Sequence, residues 1–410
     1  MKRRVVITGL GAITPFGIGL ERLWDGLINK KSGIIKMDWD PAKLPCRIAG
    51  IVSDFNPDAF IPRAEARRMD RFLQFAIVGA EMAYRDSGLD KAELDRDNTG
   101  VIIGSGIGGM SVFEKNTINF FQTSKVSPFF IPMIITNMAS GMVAIRLKLR
   151  GPNFAVTSAC ATSNHSIGVA SDMIRVGRAD VMFAGGAESA TFPMGIQGFA
   201  IMKAVSTRND EPQKASRPFD RDRDGFVMGE GAGVVILEEL EHAKKRQARI
   251  YAELIGFGMS DDAYDMVAPC EDGTAAALSM DRCIKDAGLR PEDVQYINAH
   301  GTSTPIGDVA ECNAIKNVFK AHTKKLMVSS TKSMIGHLLG AAGGVELIAT
   351  ILGMQHGVVL PTINLDNQDP AIDLDCVPHQ ERKVDLKVAM SNSFGFGGHN
   401  STIMIRKYED

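Results

Sequence analysis

Four stretches of the chain carry side chains able to do covalent and electrostatic chemistry. The first is Thr157-Ser158-Ala159-Cys160-Ala161-Thr162-Ser163. Residues 154–157 read as a strand that runs into small residues, then a cysteine, then an amphipathic helix. A cysteine at a helix N-terminus meets the macrodipole and free backbone N–H groups, which lower its pKa. Small neighbours leave room for a substrate, so the segment suits a nucleophilic thiol. Read alone, it suits a buried, inert cysteine equally well. The second stretch, Asn298-Ala299-His300-Gly301-Thr302-Ser303-Thr304, sets a histidine just past a strand and beside hydroxyls. The third, 329–337, holds Lys332 and His337, and Glu346 follows within an apolar helical run. A lone carboxylate there needs a partner if buried, and Lys332 is the natural candidate. The fourth, 392–400, alternates aromatic residues with glycine. It reads as a flexible loop with a bulky gate, whose backbone N–H groups suit an oxyanion. The remaining histidines (His165, His242, His322, His356, His379, His399) lack such company and read as surface or packing residues.

Two other motifs mislead. Gly104-Ser105-Gly106-Ile107-Gly108-Gly109 follows a strand and spells the dinucleotide fingerprint. No Asp or Glu stands near position 129 to bind a ribose, so a tight turn that excludes bulk is expected. Asp220-Arg221-Asp222-Arg223-Asp224-Gly225 resembles the opening of a calcium loop, but Gly231 occupies the twelfth position and Glu230 stands one residue early. Interleaved arginines make it a salt-bridged loop, on a surface excursion spanning 206–224.

The elements that must position these groups recur as strand, glycine turn, helix. Strand-like runs at 4–8, 99–103, 180–184, 251–255, 295–299 and 388–390 alternate with helical runs at 71–87, 163–176, 273–287, 308–319 and 343–354. That alternation argues for an α/β class. The 41 glycines among 410 residues exceed the usual share of about 7%, which fits many tight turns. A net charge of −2 provides no global basic field for nucleic acid or an anionic membrane. Six cysteines without a CxxC pair offer neither a zinc spacing nor a disulfide framework, and a reducing cytosol is expected. The N-terminus lacks the apolar core of a signal peptide. The uncharged run 126–145 is long enough to span a bilayer. Its Pro128, Pro132 and Asn137 oppose a lipid-facing helix, and a buried core or subunit-interface helix is expected instead. Each half of the chain carries one strand–turn–helix unit with a reactive residue at its turn, and the boundary is placed between 1–248 and 249–410.

Taken together, the cysteine, two histidines, lysine and Gly-Phe-Gly-Gly segments resemble the β-ketoacyl-[acyl-carrier-protein] synthases, the condensing enzymes of type II fatty acid elongation. The resemblance extends over essentially the whole chain, including 5–11, 217–233 and 361–365. Residues 159–164 and 397–401 look closer to plastid-type and cyanobacterial members than to enteric ones. The family implies an α/β thiolase-like fold of two similar halves in five αβαβα layers, a homodimer, and decarboxylative Claisen condensation. By resemblance, Cys160 takes the acyl group from acyl carrier protein, and the backbone N–H groups of Cys160 and Phe396 form the oxyanion hole. His300 and His337 stabilise the enolate left by malonyl decarboxylation, and Lys332, anchored by Glu346, sets the electrostatics. Thr302 and Thr304 match contacts to the phosphopantetheine arm. Phe396 matches the gate, Phe394 and Ile107 border the acyl pocket, and by the same resemblance Gly104, Gly106, Gly108 and Gly109 clear an acyl channel. Arg63, Arg67, Arg68, Lys125 and Lys203 match carrier-protein contacts; Ser124 stands where the family has a second basic residue. No cofactor is implied for the chemistry. Asn298, Glu346, Ser391 and Asn392 match a structural Na or K ion site. The family reading places the chain in a bacterial cytoplasm, or in an organelle stroma or matrix as a mature form. A thiolase, a polyketide ketosynthase and a non-catalytic chain-length partner subunit are the alternatives. His337 in place of a second cysteine disfavours the first, and Cys160 disfavours the last.

Overall fold

The computed structural model describes residues 3–40 and 43–409; Met1 and Lys2 of the N-terminal reading lie outside them. Nine strands carry the architecture: β1 Val5–Thr14, β2 Thr99–Gly104, β3 Val181–Glu188, β4 Gly231–Glu239, β5 Ala252–Asp261, β6 Tyr296–Asn298, β7 Met327–Ser329, β8 Val388–Gly395 and β9 His399–Arg406. They lie in one mixed sheet in the order β7-β6-β8-β9-β5-β1-β4-β3-β2. Outward from β1, the neighbours run antiparallel, antiparallel, parallel. Outward from β5 the same series recurs, with one further parallel strand. The two half-sheets join where β1 pairs with β5, Val5 opposite Leu254 and Ile7 opposite Ala252.

Side-chain alternation turns this sheet into layers. On β4, Val235 and Leu237 enter a central apolar cluster while Val234 and Ile236 enter an outer one. On β9, Ile403 and Ile405 point centrally and Met404 outward. Burial on both faces explains why these strands read as continuous apolar runs. The principal outer and central helices are α1 Arg71–Asp86, α2 Met138–Leu147, α3 Thr162–Arg175, α4 Thr274–Ala287, α5 Pro305–Phe319 and α6 Ala342–His356. The central cluster is filled by α3 (Ile167, Ala170, Ile174) and α6 (Val345, Ile348, Ile351), together with strands of both half-sheets. One outer cluster holds α1 and α2, the other α4 and α5. The sheet therefore folds around α3 and α6, giving five layers. Residues Ala342–Met354 of α6 are buried all round, the condition of a helix with no polar face.

Four local expectations need correction. The run 126–145 is not one buried helix: it breaks into Phe130–Ile134 and α2. The break has a cause, because Gly109 N–H donates to the Ile134 carbonyl (3.1 Å), which a continuing helix would use internally. Ile131 and Ile145 are exposed, Met133, Ala139, Ser140 and Val143 are buried, and Met138, Met142 and Ala144 pack half-buried against the outer cluster. No described helix is long and apolar enough to cross a membrane. Residues 154–157 form no ladder; a single bridge, Val101 to Asn153, places the segment beside β2. The glycine-aromatic stretch is strand as far as Gly395, because β9 ladders against it from Arg406 to His399, leaving Phe396, Gly397 and Gly398 as the turn. Gly397 (φ 84°) and Gly398 (φ 81°) occupy the left-handed region that glycine reaches without strain. Finally, 206–224 is a surface excursion only in part: Thr207, Asp210, Glu211 and Lys214 are exposed, but Ser206, Ser216, Phe219 and Asp220 are buried. Asp220 pairs with Arg217 (3.0 Å) and accepts from Asn367 N–H (2.7 Å). Arg223 reaches Asp369 (2.8 Å), so the salt-bridged loop is an internal strut.

Candidate active site

Cys160 sits in a 3-10 turn, Ala159–Ala161, directly before α3. The preceding Ala159 is held at φ 48°, unusual for a residue with a Cβ, and aims the turn. The β8–β9 hairpin closes over it. A Cβ on Gly395 would stand 2.8 Å from Ser158 O and 3.1 Å from Cys160 N, so only glycine lets the hairpin approach. Phe396 follows at the turn and meets Phe199 at 6.0 Å between ring centroids.

His300 follows β6. Glu311 on α5 fixes its backbone, accepting from His300 N–H (2.9 Å) and Gly301 N–H (2.8 Å). The same carboxylate accepts from Asn392 Nδ2 (3.0 Å) on β8. His337 follows the short helix Lys332–Ile335 and donates its backbone N–H to Val227 O (2.7 Å). The imidazole centroids are 5.3 Å apart and nearly perpendicular. Phe226 packs on His337 at 5.4 Å and Phe394 on His300 at 5.7 Å. His300 Nδ1 and both ring nitrogens of His337 have no protein partner among the described residues. Burial first, then the Lys332 charge, hold both imidazoles well below their usual pKa, with His337 adding to the effect on His300. They are neutral near pH 7, each able to donate one N–H.

Lys332 and Glu346 form an ion pair, each about 1% exposed. Burial raises Glu346 above the usual carboxylate range and the lysine opposes it. The same ammonium lowers Cys160, but burial wins and pushes the thiol up to about 12. The helix N-terminus therefore does not produce a resting thiolate, contrary to the sequence expectation, because desolvation outweighs the nearby positive charge.

These groups share a cavity of about 350 Å³ lined by Cys160, His300, His337, Phe396, Thr302 and Thr304. The two threonine hydroxyls are 3.0 Å apart. Ile107 belongs to the apolar cluster that packs Cys160 and Phe199, and Phe394 lines the cavity. The neighbouring glycines do not clear a channel. A Cβ on Gly104 would meet Val156 O at 2.2 Å and one on Gly109 would meet Met133 O at 2.0 Å, so they admit backbone. Of the five basic residues, all exposed, Lys203 alone lines this cavity. Arg67 lines a second one of about 640 Å³, Arg68 lies over the Phe129 ring at 4.8 Å, and Arg63 pairs with Asp58.

Asn298 Oδ1, Ser391 Oγ and Glu346 Oε2 are buried without protein partners, and Asn298 stands opposite Ser391 in the β6–β8 register. Two neutral oxygens and one carboxylate oxygen fit a hard monovalent cation. The Asn392 side chain is committed to Glu311 and Thr402, so it offers only its carbonyl. Sequence reasoning missed Glu311, Asp308 and Glu188, all buried carboxylates. Glu188 stands as a lone acid among small neighbours, as Glu346 does among apolar ones, whereas Asp308 and Glu311 stand three residues apart, and in none of them does the sequence show the backbone N–H groups they accept from.

Two family models match the chain: "Beta-ketoacyl synthase, N-terminal domain" over residues 2–243 and "Beta-ketoacyl synthase, C-terminal domain" over residues 251–366. It is 51% identical to a 3-oxoacyl-[acyl-carrier-protein] synthase 2 of Vibrio cholerae, covering 99% of each chain. It is 50% identical to the enzyme of the same name from Synechocystis, covering 100% of this chain and 99% of that one. Among solved structures, it superposes with TM-score 0.94, 35% identity and full coverage of both chains on a type II polyketide ketosynthase in complex with its acyl-carrier protein.

Proposed function

The chain belongs to the β-ketoacyl synthase family and is a condensing acyltransferase, and from that premise we propose how its residues perform the condensation of fatty acid elongation. Cys160 Sγ attacks the acyl thioester of acyl carrier protein. The carbonyl oxygen becomes an oxyanion held by the backbone N–H groups of Cys160 and Phe396. The pantetheine sulfur departs and takes the proton given up by the thiol, leaving acyl-Cys160. Malonyl-carrier protein then enters, with Thr302 and Thr304 holding its pantetheine arm and Phe396 as the gate. Cleavage of its carboxyl group as CO2 leaves an enolate, whose oxygen accepts N–H bonds from neutral His300 and His337. The enolate carbon attacks acyl-Cys160, forming the new carbon–carbon bond as the carbon–sulfur bond breaks, and the released Cys160 thiolate takes up one proton from water. Lys332 and Glu346 keep the site's charge in register. A monovalent cation at Asn298, Ser391 and Glu346 would add charge and rigidity behind the lysine.

The observation that carries this reading is the pair of neutral, unpartnered imidazoles 5.3 Å apart in one cavity with the cysteine. Intact-mass and peptide spectrometry after incubation with acyl-carrier protein tests it. An acyl adduct on Cys160, lost in Cys160→Ala and Cys160→Ser, is expected, with malonyl decarboxylation retained in Cys160→Gln. An adduct elsewhere, or none, overturns it. The polyketide alternative has support in the 35% identical ketosynthase neighbour; an extended polyketide product from malonyl units would select it.

The same reading makes the enzyme a cytoplasmic homodimer that docks acyl carrier protein at Arg63, Arg67, Arg68, Lys125 and Lys203. Exposed Phe113, Ile131, Phe154 and Ile145 favour a covered face. A monomer by light scattering at micromolar concentration would count against the dimer.

A further inference from the structure

Glu188 ends β3, is buried, and takes no part in the steps above. Its two oxygens accept four hydrogen bonds from two separate segments. Oε1 accepts from Ser105 Oγ (2.6 Å) and Ile107 N–H (3.3 Å). Oε2 accepts from Gly106 N–H (2.7 Å) and Gly340 N–H (3.0 Å). Backbone N–H groups only donate, so the position calls for a group with acceptors on both sides, which an ionised carboxylate is. Such charge-assisted bonds offset part of the cost of burying the charge.

Both segments border the reacting groups from different sides. The first carries Ile107, which packs in one apolar cluster with Cys160. A Cβ on Gly106 would stand 3.1 Å from the Ala159 carbonyl, so this turn also touches the nucleophile's own turn. The second segment follows His337, and its Leu339 lines the catalytic cavity. Gly340 O accepts from Ser163 Oγ (2.5 Å) at the start of α3. The segments also meet directly: a Cβ on Gly340 would stand 2.5 Å from Gly106 N and 2.6 Å from Glu188 Oε2. The Glu188 charge is among those acting on the Cys160 thiol, and it raises it.

We propose that Glu188 is a positioning residue for the condensation, a single carboxylate that fixes the acyl-pocket turn carrying Ile107 to the Leu339–Gly340 segment on the histidine side. This rests on Cys160 being the acyl acceptor. Glu188→Gln separates the two sides. One orientation of the amide keeps the oxygen on Gly106 and Gly340, and its NH2 then faces Ser105 Oγ, which can accept, and Ile107 N–H, which loses its partner. The acyl-pocket turn is loosened while the histidine side stays anchored. Glu188→Ala releases both.

The experiment compares two half-reactions on variants whose thermal melts show them folded. One is the rate of Cys160 acylation by a short-chain and a long-chain acyl-carrier protein, read by intact mass. The other is malonyl-carrier protein decarboxylation. Glu188→Gln is expected to change the long-to-short acylation ratio by about tenfold, the scale of one lost buried hydrogen bond, with decarboxylation within about twofold of the parent. Glu188→Ala is expected to lower both half-reactions. Gly340→Ala, which drives a methyl between the two segments, is expected to change the same acylation ratio, and it serves if Glu188→Gln does not fold. A folded Glu188→Gln with the parent's ratio overturns the proposal, as does a uniform fall in both half-reactions, the mark of a merely structural role. Absence of an adduct on Cys160 in the parent overturns the Cys160 reading and this proposal together. Parent acylation with an unchanged ratio overturns this proposal alone.

Discussion

A protonated thiol and two neutral imidazoles are set by one cause, burial, and moderated by one charge, Lys332. The ammonium lowers all three pKa values. For the histidines it reinforces desolvation; for the cysteine it opposes it. Removing it in Lys332→Met should raise the imidazole pKa values and raise the thiol further. In the parent, enolate stabilisation needs neutral imidazoles whose pKa lies well below 6.5, so malonyl decarboxylation should hold its rate as pH falls through 6.5. In Lys332→Met the acid limb of that profile should move to higher pH. Linkage fixes the sign for stability: the unfolded histidines take up protons near 6.5 and the folded ones do not. Their contribution is therefore present above pH 6.5 and is lost progressively as pH falls below it. Lys332→Met also strands Glu346, at a cost of about 3–5 kcal/mol. The double variant Lys332→Met/Glu346→Leu should recover most of that cost by removing both charges, without recovering the parent pH profile. Thermal melts and pH–rate profiles of the two variants test this together. Equal melts would mean that the pair is not a buried, coupled one.

At the scale of elements, the site is made by turns that depend on close backbone approach. Gly395→Ala puts a methyl against Ser158 O and Cys160 N. It should lift the hairpin and displace Phe396 N–H from the oxyanion position. Acylation of Cys160 should fall about a hundredfold, the loss of one oxyanion donor, with little change in malonyl decarboxylation, which uses the histidines. A parent acylation rate would place the oxyanion donor elsewhere. The same physics divides what was readable in the chain from what was not. Strands such as 181–188 and helices such as 71–86 are set by local periodicity and by burial on known faces, so they were legible. So was Glu346 with Lys332, since a buried carboxylate demands a cation. The break at Ile134 depends on a donor from Gly109, and the straightness of Phe394-Gly395 depends on β9 lying alongside; neither partner adjoins its target in sequence as an obvious pair. The thiol's pKa depends on the desolvation of a half-buried side chain in the wall of the cavity, which a helix-start pattern does not report. Glu311 and Glu188 hold loops by accepting backbone N–H groups, a role with no periodicity to betray it.

For the whole molecule, a net charge of −2 means that recognition of an acidic carrier must come from where the cations sit. Lys203 is exposed and lines the catalytic cavity. Arg67 lines the second cavity and Arg68 lies over the Phe129 ring, and neither lines the catalytic cavity. On the proposed docking, a carrier whose pantetheine arm enters the catalytic cavity meets Lys203, and the arginines meet it from the same chain or from a second one. The two sites therefore make different predictions. Lys203→Glu should raise KM for acyl-carrier protein several-fold, an effect that fades as salt shortens the screening length. It should leave the rate with a small acyl-pantetheine thioester unchanged, because the proposed role of Lys203 is to meet the carrier and not the reacting atoms. Arg67→Glu/Arg68→Glu should raise the same KM if the arginines guide the carrier, and a mixed dimer of one parent chain and one chain carrying Cys160→Ala together with the charge reversal distinguishes docking within a chain from docking across the pair. If the active chain carries intact arginines and its partner carries the reversal, a raised KM means that the partner's arginines guide the carrier. The parent KM in that arrangement means that each chain docks its own.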